Sequence, residues 1–201
     1  MVIKTLNKIA QQDKYQIYIN EHIENVTLAW MNLKCISDLL IETIVDVYRD
    51  SPYFNPSSMY IQTILDVTES NIRVHDASKR GPEEFEYYRK NFYPVNDKEK
   101  EDNKEDFEKA WKHHYENNMH HWDYWAKSGN KEKMPIPFVL EMCCDWIAMS
   151  MKYNNANAIQ WYNENKNDIV LGKYQQALVE KVLRLYYGNF DVKGKPLPYE
   201  K

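Results

Sequence analysis

Residues 134–153, MPIPFVLEMCCDWIAMSMKY, form a strongly apolar stretch with the length of a helix. Such a stretch predicts a helix inside a core, yet it carries Asp145 in its second half. Burying that carboxylate without a partner would cost roughly several kcal/mol. A positive charge must therefore compensate it, either a salt bridge with Arg73 or Lys152 or a bound cation.

The chain on both sides of this stretch also has helical periodicity. The stretch 51–58 is rich in Pro and Ser and predicts a loop, and the charged stretch 93–106 predicts a mobile connector. No internal repeat and no convincing strand are found, so the pattern predicts an all-α fold in one domain, 1–201, with a core of about 13–187 and an irregular tail. Helices are predicted at 13–33, 35–48, 59–79, 82–92, 107–118, the start of 120–133, 134–153, 157–169 and 174–187.

Composition limits the classes of function. The net charge is −4 and the pI is about 5.9, so no basic field indicates binding of long nucleic acid. Three cysteines, two of them adjacent, argue against a disulfide framework and favour a reducing compartment. Neither a signal peptide nor an apolar run of about 18 residues is found, so we expect a cytoplasmic protein that does not bind membranes.

The six histidines are clustered in a way that predicts a metal site. His22 lies on the apolar face of the first predicted helix, together with Tyr15, Ile19 and Val26. A core histidine would explain that position alone, but His75 is followed directly by Asp76. Imidazole nitrogens and carboxylate oxygens are both ligands of divalent cations. His22, His75, Asp76 and Asp145 are therefore candidate metal ligands.

The other four histidines fall within nine residues, as His113-His114 and His120-His121. Exposed helix surface would explain both pairs, although three tryptophans close by make that reading less attractive. Helical phase places His114 with Phe107 and Trp111, which predicts that His114 faces inwards and His113 does not. From the second pair we select His121, seven residues further on.

The order His22 … His75-Asp76 … Asp145 resembles that of the HD-domain superfamily of metal-dependent phosphohydrolases. The segment EHIENVTLAWMNL is similar to the first helix of that superfamily, and VHDASK is similar to its HD-x-x-K box. More narrowly, HDASKRGPEEFEYYRKNF, AWKHHYENNMHHWDYW and EMCCDWIAMSMKY resemble a family of uncharacterised bacterial and phage proteins. That narrower resemblance covers most of residues 20–185.

The superfamily resemblance implies an HD-like helical bundle with a metal site at its centre. It implies one divalent transition metal (Mn, Fe, Ni, Co or Zn) held by His22, His75, Asp76 and Asp145. In a dinuclear form, Asp76 would bridge to a second ion that His114 and His121 complete.

The reaction implied by the resemblance is hydrolysis of a nucleotide or of a phosphorylated signalling molecule. Lys79 follows His75 by one turn and is either a phosphate contact or a solvated lysine near a helix end. Arg73 and Lys152 are further candidate phosphate contacts.

Two other classes of function fit the same ligands. An HD-type di-iron oxygenase would use them with redox-active iron, because His and carboxylate suit several transition metals. A non-catalytic protein that sequesters a nucleotide would use the metal structurally. Metal identity and phosphate release discriminate among the three classes.

Overall fold

The chain is all-α in a computed structural model that describes residues 2–153 and 157–198. These two ranges contain ten α-helices, two short 3-10 helices and no β-strand beyond an isolated bridge in the tail. The predicted fold class is confirmed. The helices are α1 Val2–Cys35, α2 Ser37–Tyr48, α3 Ser58–Arg73, α4 Phe85–Phe92, α5 Asp97–Asp102, α6 Lys104–Asn117, α7 Trp122–Lys127, α8 Ile136–Tyr153, α9 Ala158–Asn165 and α10 Lys173–Asn189.

The chain divides into two compact units. The first unit comprises Met1–Ile23 and Asp76–Met119, and the second comprises Glu24–His75 and His120–Lys201. The chain passes from one unit to the other three times, once within α1. Each unit is thus built from two stretches of sequence. The prediction that residues 1–201 form one domain stays a prediction.

The core of the second unit is built around α8. Val139, Leu140, Cys143, Cys144 and Ile147 are completely buried on this helix. It packs against α3, α9 and α10. Because apolar side chains cover most of its circumference, α8 is enclosed by other helices, as the sequence predicted.

The core of the first unit is aromatic. Tyr15 and Ile19 of α1 pack with Tyr88 of α4 and Ala110 of α6. Phe107 lies 5.1 Å from Tyr88, ring centre to ring centre, in an edge-to-face arrangement typical of buried aromatic pairs. These contacts hold α1, α4 and α6 together.

The prediction of one helix over 59–79 is wrong at its end. Helix α3 ends at Arg73, and Asp76 adopts the left-handed conformation with φ 54 and ψ 21. Aspartate enters this region more readily than most residues, although at some cost. A 3-10 helix, Ala77–Arg80, then follows. His75 and Asp76 are therefore on a turn rather than on a helix.

The connector predicted over 93–106 is largely helical, and its mobility stays a prediction. This stretch contains α5 and the start of α6. Asn96 caps α5, since its side chain accepts a hydrogen bond from the Glu99 amide at 3.0 Å. Glu99 also makes two hydrogen bonds of 2.8 Å with the fully buried guanidinium of Arg89. Part of the charge in this stretch therefore belongs to a structural ion pair between Glu99 and Arg89.

Among the described residues, no helix is both long enough and apolar enough to cross a membrane.

The Arg89–Glu99 pair gives a stability prediction. We expect Glu99→Gln to lower the free energy of unfolding by about 1 to 3 kcal/mol, because it removes the bidentate partner of a buried guanidinium whose remaining charged partner is the carboxylate of Glu86, at 3.2 Å. Glu101→Gln is the matched control, since Glu101 is exposed on the same short helix. Urea unfolding of both variants is the measurement, and equal stabilities would show that the ion pair contributes nothing.

Candidate metal centre

Asp76 is the centre of the polar cluster in the first unit. Its side chain is 1% exposed, and each of its oxygens faces a histidine. Oδ2 lies 3.4 Å from Nε2 of His22, and Oδ1 lies 3.2 Å from Nε2 of His114. Lys79 also pairs with Oδ2 through its ammonium group. The first unit therefore brings together three of the predicted metal ligands.

Glu84 orients His114 from the other side of its ring. This carboxylate is completely buried and accepts hydrogen bonds from Nδ1 of His114 at 2.7 Å and from Nδ1 of His113 at 2.8 Å. Burial raises the pKa of Glu84, but the contacts with His114, Ser78 and His113 outweigh burial, so the pKa is lowered overall. Glu84 is thus an ionised acceptor.

The hydrogen bond to Glu84 fixes the tautomer of His114. When Nδ1 carries the proton, Nε2 of the neutral ring presents a lone pair to Oδ1 of Asp76. Two lone pairs 3.2 Å apart repel unless a proton or a metal cation lies between them. Burial lowers the pKa of His114, but the charge and hydrogen bond of Asp76 outweigh burial and raise it. The raised pKa favours a proton at this contact, and a metal cation bound by Nε2 would take the place of that proton.

The second unit contains a similar arrangement around Glu141 on α8. Oε1 of Glu141 accepts from Nδ1 of His75 at 3.0 Å and from Nδ1 of His120 at 3.1 Å. Burial raises the pKa of Glu141, but the hydrogen bonds and charges of the two histidines lower it to about 2. Nε2 of His75 lies 3.8 Å from Oδ1 of Asp145. The Nε2 atom of His75 is thus oriented towards a carboxylate.

The second unit contains a donor set that suits a metal ion. His75, His120 and Glu141 lie close enough for one atom of each to reach a common ion. We assign Glu141 instead to orienting the two rings, because histidines that bind a metal through Nε2 usually donate Nδ1–H to a carboxylate. Nitrogen and carboxylate oxygen ligands fit Mn, Fe, Co, Ni and Zn without selecting among them.

Sequence reasoning missed three residues of these clusters. His120, 1% exposed, is the member of its pair that contacts Glu141, whereas His121 is half-buried before α7 with its ring 4.2 Å from that of His120. Ligation by His121 stays a prediction. Glu141 precedes Asp145 by four residues, so their shared helix face could have revealed it. For Glu84 the sequence offered no comparable signal.

The predicted phosphate contacts differ in their surroundings. Lys79 is 13% exposed and pairs with Asp76, so it is not a solvated surface lysine. Arg73 is 74% exposed and pairs with Glu69 at 2.9 Å rather than with Asp145. Lys152 is half-buried near the end of α8. Lys79 therefore lies at one of the candidate ligands, Asp76.

These features define an all-α protein with two clusters in which a glutamate orients histidines beside an aspartate. The chain matches the model of a family of unknown function (DUF5662) over residues 11–185, and it belongs to that family. Comparisons with curated proteins and with solved structures gave no match.

The role of Glu84 is tested by its effect on metal affinity. We expect Glu84→Gln to weaken binding of Mn²⁺ or Zn²⁺ by about 10- to 100-fold, since the neutral amide holds the His114 ring less firmly and makes it a poorer donor. Glu83→Gln is the matched control, because the neighbouring Glu83 is exposed. Titration against a chelator of known affinity gives both constants. Equal affinities for the two variants would show that Glu84 does not support metal binding.

Proposed function

We propose that the chain is a metal-dependent phosphohydrolase of the HD type that acts on a nucleotide or on a phosphorylated signalling molecule. The observation that carries the proposal is the buried Asp76 carboxylate, whose two oxygens each face the Nε2 atom of a histidine. A carboxylate shared in this way is suited to bridge two ions, which is the role that the resemblance gives it.

The candidate ligands supply the donors that such an enzyme needs. In the first unit they are His22, Asp76 and His114, which contact one another through the Asp76 carboxylate. In the second unit they are His75 and Asp145, with His120 and His121 as further donors. His75 and Asp76 are consecutive residues, as in the HD box. A bound divalent ion would supply hydroxide near neutral pH and polarise a phosphoryl oxygen.

The protein residues have separate tasks in this proposal. Glu84 and Glu141 fix the tautomers of the histidines, so that Nε2 donates and Nδ1 keeps its proton. Lys79 keeps a positive charge beside Asp76 and is placed to contact a phosphate oxygen as a point charge. The net charge of −4 gives no general attraction for phosphates. Lys79 and a bound metal ion would therefore have to provide that attraction locally.

The proposal is tested first by metal content and by a screen of phosphoesters. We expect a purified chain, expressed in metal-supplemented medium, to hold about one or two transition-metal ions. It should release phosphate from at least one nucleotide or cyclic dinucleotide. Less than about a tenth of an ion per chain would contradict the metal centre. An iron-loaded, coloured protein without phosphate release would favour the oxygenase, and a nucleotide recovered intact would favour sequestration.

The adjacent histidines of α6 provide a matched pair for the ligand assignment. We expect His114→Ala to reduce bound metal, because it removes the Nε2 atom that faces Asp76. His113→Ala should retain it, although it also removes a hydrogen bond to Glu84. Elemental analysis of both variants gives the stoichiometry. Loss of metal from His113→Ala alone would reverse the assignment.

Lys79 distinguishes a hydrolase from a structural metal site. We expect Lys79→Ala to keep its metal, since an ammonium group offers no lone pair, but to lower phosphoester turnover by about 10- to 100-fold. Lys100→Ala, an exposed lysine of α5, is the control. The measurement is kcat with the substrate from the screen. Turnover equal to wild type would refute the phosphate contact and point to Arg73 or Lys152.

A further inference from the structure

Lys79 occupies the same oxygen of Asp76 that a metal ion would use. In the first unit, the ammonium group of Lys79 pairs with Oδ2 of Asp76, and this oxygen also lies 3.4 Å from Nε2 of His22. The Lys79 side chain is 13% exposed and the Asp76 side chain 1%, so water screens this pair only weakly. One buried carboxylate oxygen thus faces a protein cation and a candidate metal ligand at the same time.

The local backbone brings Lys79 back to Asp76. Asp76 immediately precedes the 3-10 helix Ala77–Arg80, in which about three residues make one turn. Residues three apart therefore lie on the same side, and the Lys79 amide donates to the Asp76 carbonyl at 3.0 Å. The spacing of three residues thus places the ammonium group at the carboxylate through local structure.

An ion at this oxygen and the ammonium group of Lys79 would be close neighbours. A transition metal binds a carboxylate oxygen at about 2.1 Å, and a charge-assisted N–H···O contact measures about 2.8 Å. Two cations on one oxygen are therefore at most about 5 Å apart. At that separation a divalent ion and an ammonium group repel each other in a site that excludes most water. Lys79 consequently opposes the binding of an ion between Oδ2 of Asp76 and His22.

A second position for the ammonium group lies within reach. Nζ of Lys79 is 5.8 Å from the centre of the Tyr88 ring, a distance at which the face of an aromatic ring attracts a cation. The Tyr88 ring in turn packs on the His114 ring at 5.6 Å, so it borders the candidate ligands of the first unit. Because the four-carbon stem of lysine is flexible, Nζ can leave Asp76 and stay beside this ring.

We propose that Lys79 is a placeholder cation, which holds Asp76 while the metal centre is empty and is displaced from Oδ2 when a divalent ion binds. The displaced ammonium group is then available to an anionic group of the substrate. This inference rests on the proposed function, because it describes how the same site is regulated. Metal and phosphate would favour each other's binding, since both are coupled to the position of Lys79.

The alternative is that Lys79 only stabilises the ligand geometry. A lysine that merely holds Asp76 in its binding orientation would support the metal, and its loss would weaken metal binding. A placeholder has the opposite effect, because its removal abolishes both the competition for Oδ2 and the repulsion between the two cations. The sign of the change in metal affinity therefore separates the two roles.

The test measures the affinity of the purified full chain for Mn²⁺ by calorimetry, after bound metal has been removed with a chelator. We expect Lys79→Met, which keeps the length of the side chain without its charge, to bind Mn²⁺ at least about tenfold more tightly than wild type. Lys79→Arg keeps the charge and should show no such gain. Lys109→Met is the matched control, since Lys109 forms an exposed ion pair with Asp106 at the same spacing of three residues.

The metal-free protein should respond in the opposite direction. Without Lys79 the buried carboxylate of Asp76 loses its ammonium partner, so we expect metal-free Lys79→Met to unfold at a lower urea concentration than wild type. Saturating Mn²⁺ should reduce that difference. If Lys79→Met does not fold without metal, Lys79→Gln replaces it, because the amide is neutral but can still donate a hydrogen bond to Asp76.

The possible results separate this inference from the proposed function. Equal or weaker Mn²⁺ binding by the neutral variants would overturn the placeholder role and leave the metal centre in place. If wild type and variants alike bind no metal, the placeholder role and the proposed function both fail. Tighter binding by the neutral variants, without hydrolysis of any phosphoester in the screen, would support the placeholder role and contradict the proposed hydrolase.

Discussion

The buried negative charge of Asp76 is the constraint on which the polar part of this structure depends. A carboxylate that is 1% exposed must be compensated, or it destabilises the fold by roughly several kcal/mol. The chain compensates part of it with the ammonium group of Lys79, and the Nε2 atoms of His22 and His114 face the carboxylate at distances that a proton or a metal cation would bridge. It also holds Asp76 in a left-handed conformation that costs energy. Charge burial and backbone strain at one residue are together typical of a functional site.

The helices were predictable because their signals are local. Apolar periodicity located α8, and helical phase placed His114 beside Phe107 and Trp111 in the first unit. The errors arose where residues distant in sequence determine the local structure. The buried guanidinium of Arg89, which Glu99 neutralises, helps to order a highly charged stretch, and no pattern within that stretch reveals its partner. The end of α3 depends likewise on the backbone conformation of Asp76.

The candidate ligands were largely predictable, but the residues that orient them were not. Histidine and aspartate clusters are visible as residue types, whereas Glu84 and Glu141 look like ordinary helix glutamates until their partners are known. Their function comes from hydrogen bonds that span 30 residues for Glu84 and His114 and 66 residues for Glu141 and His75. Such pairs fix tautomers, and the tautomer decides which nitrogen of an imidazole can bind a metal.

Helix α8 explains why residues 134–153 have such a strong influence on the second unit. Ile136 and Pro137 in its first turn line a cavity of about 740 Å³, Glu141 orients two histidines one turn later, and Asp145 follows after another turn. At about 1.5 Å per residue, Ile136 and Asp145 are separated by about 14 Å along the helix axis. Ligand groups must be held within about 0.5 Å to be useful, and a helix that is buried on nearly all sides provides that rigidity. The apolar residues of α8 therefore do more than fill the core, because their packing fixes the position of every polar group that the helix carries.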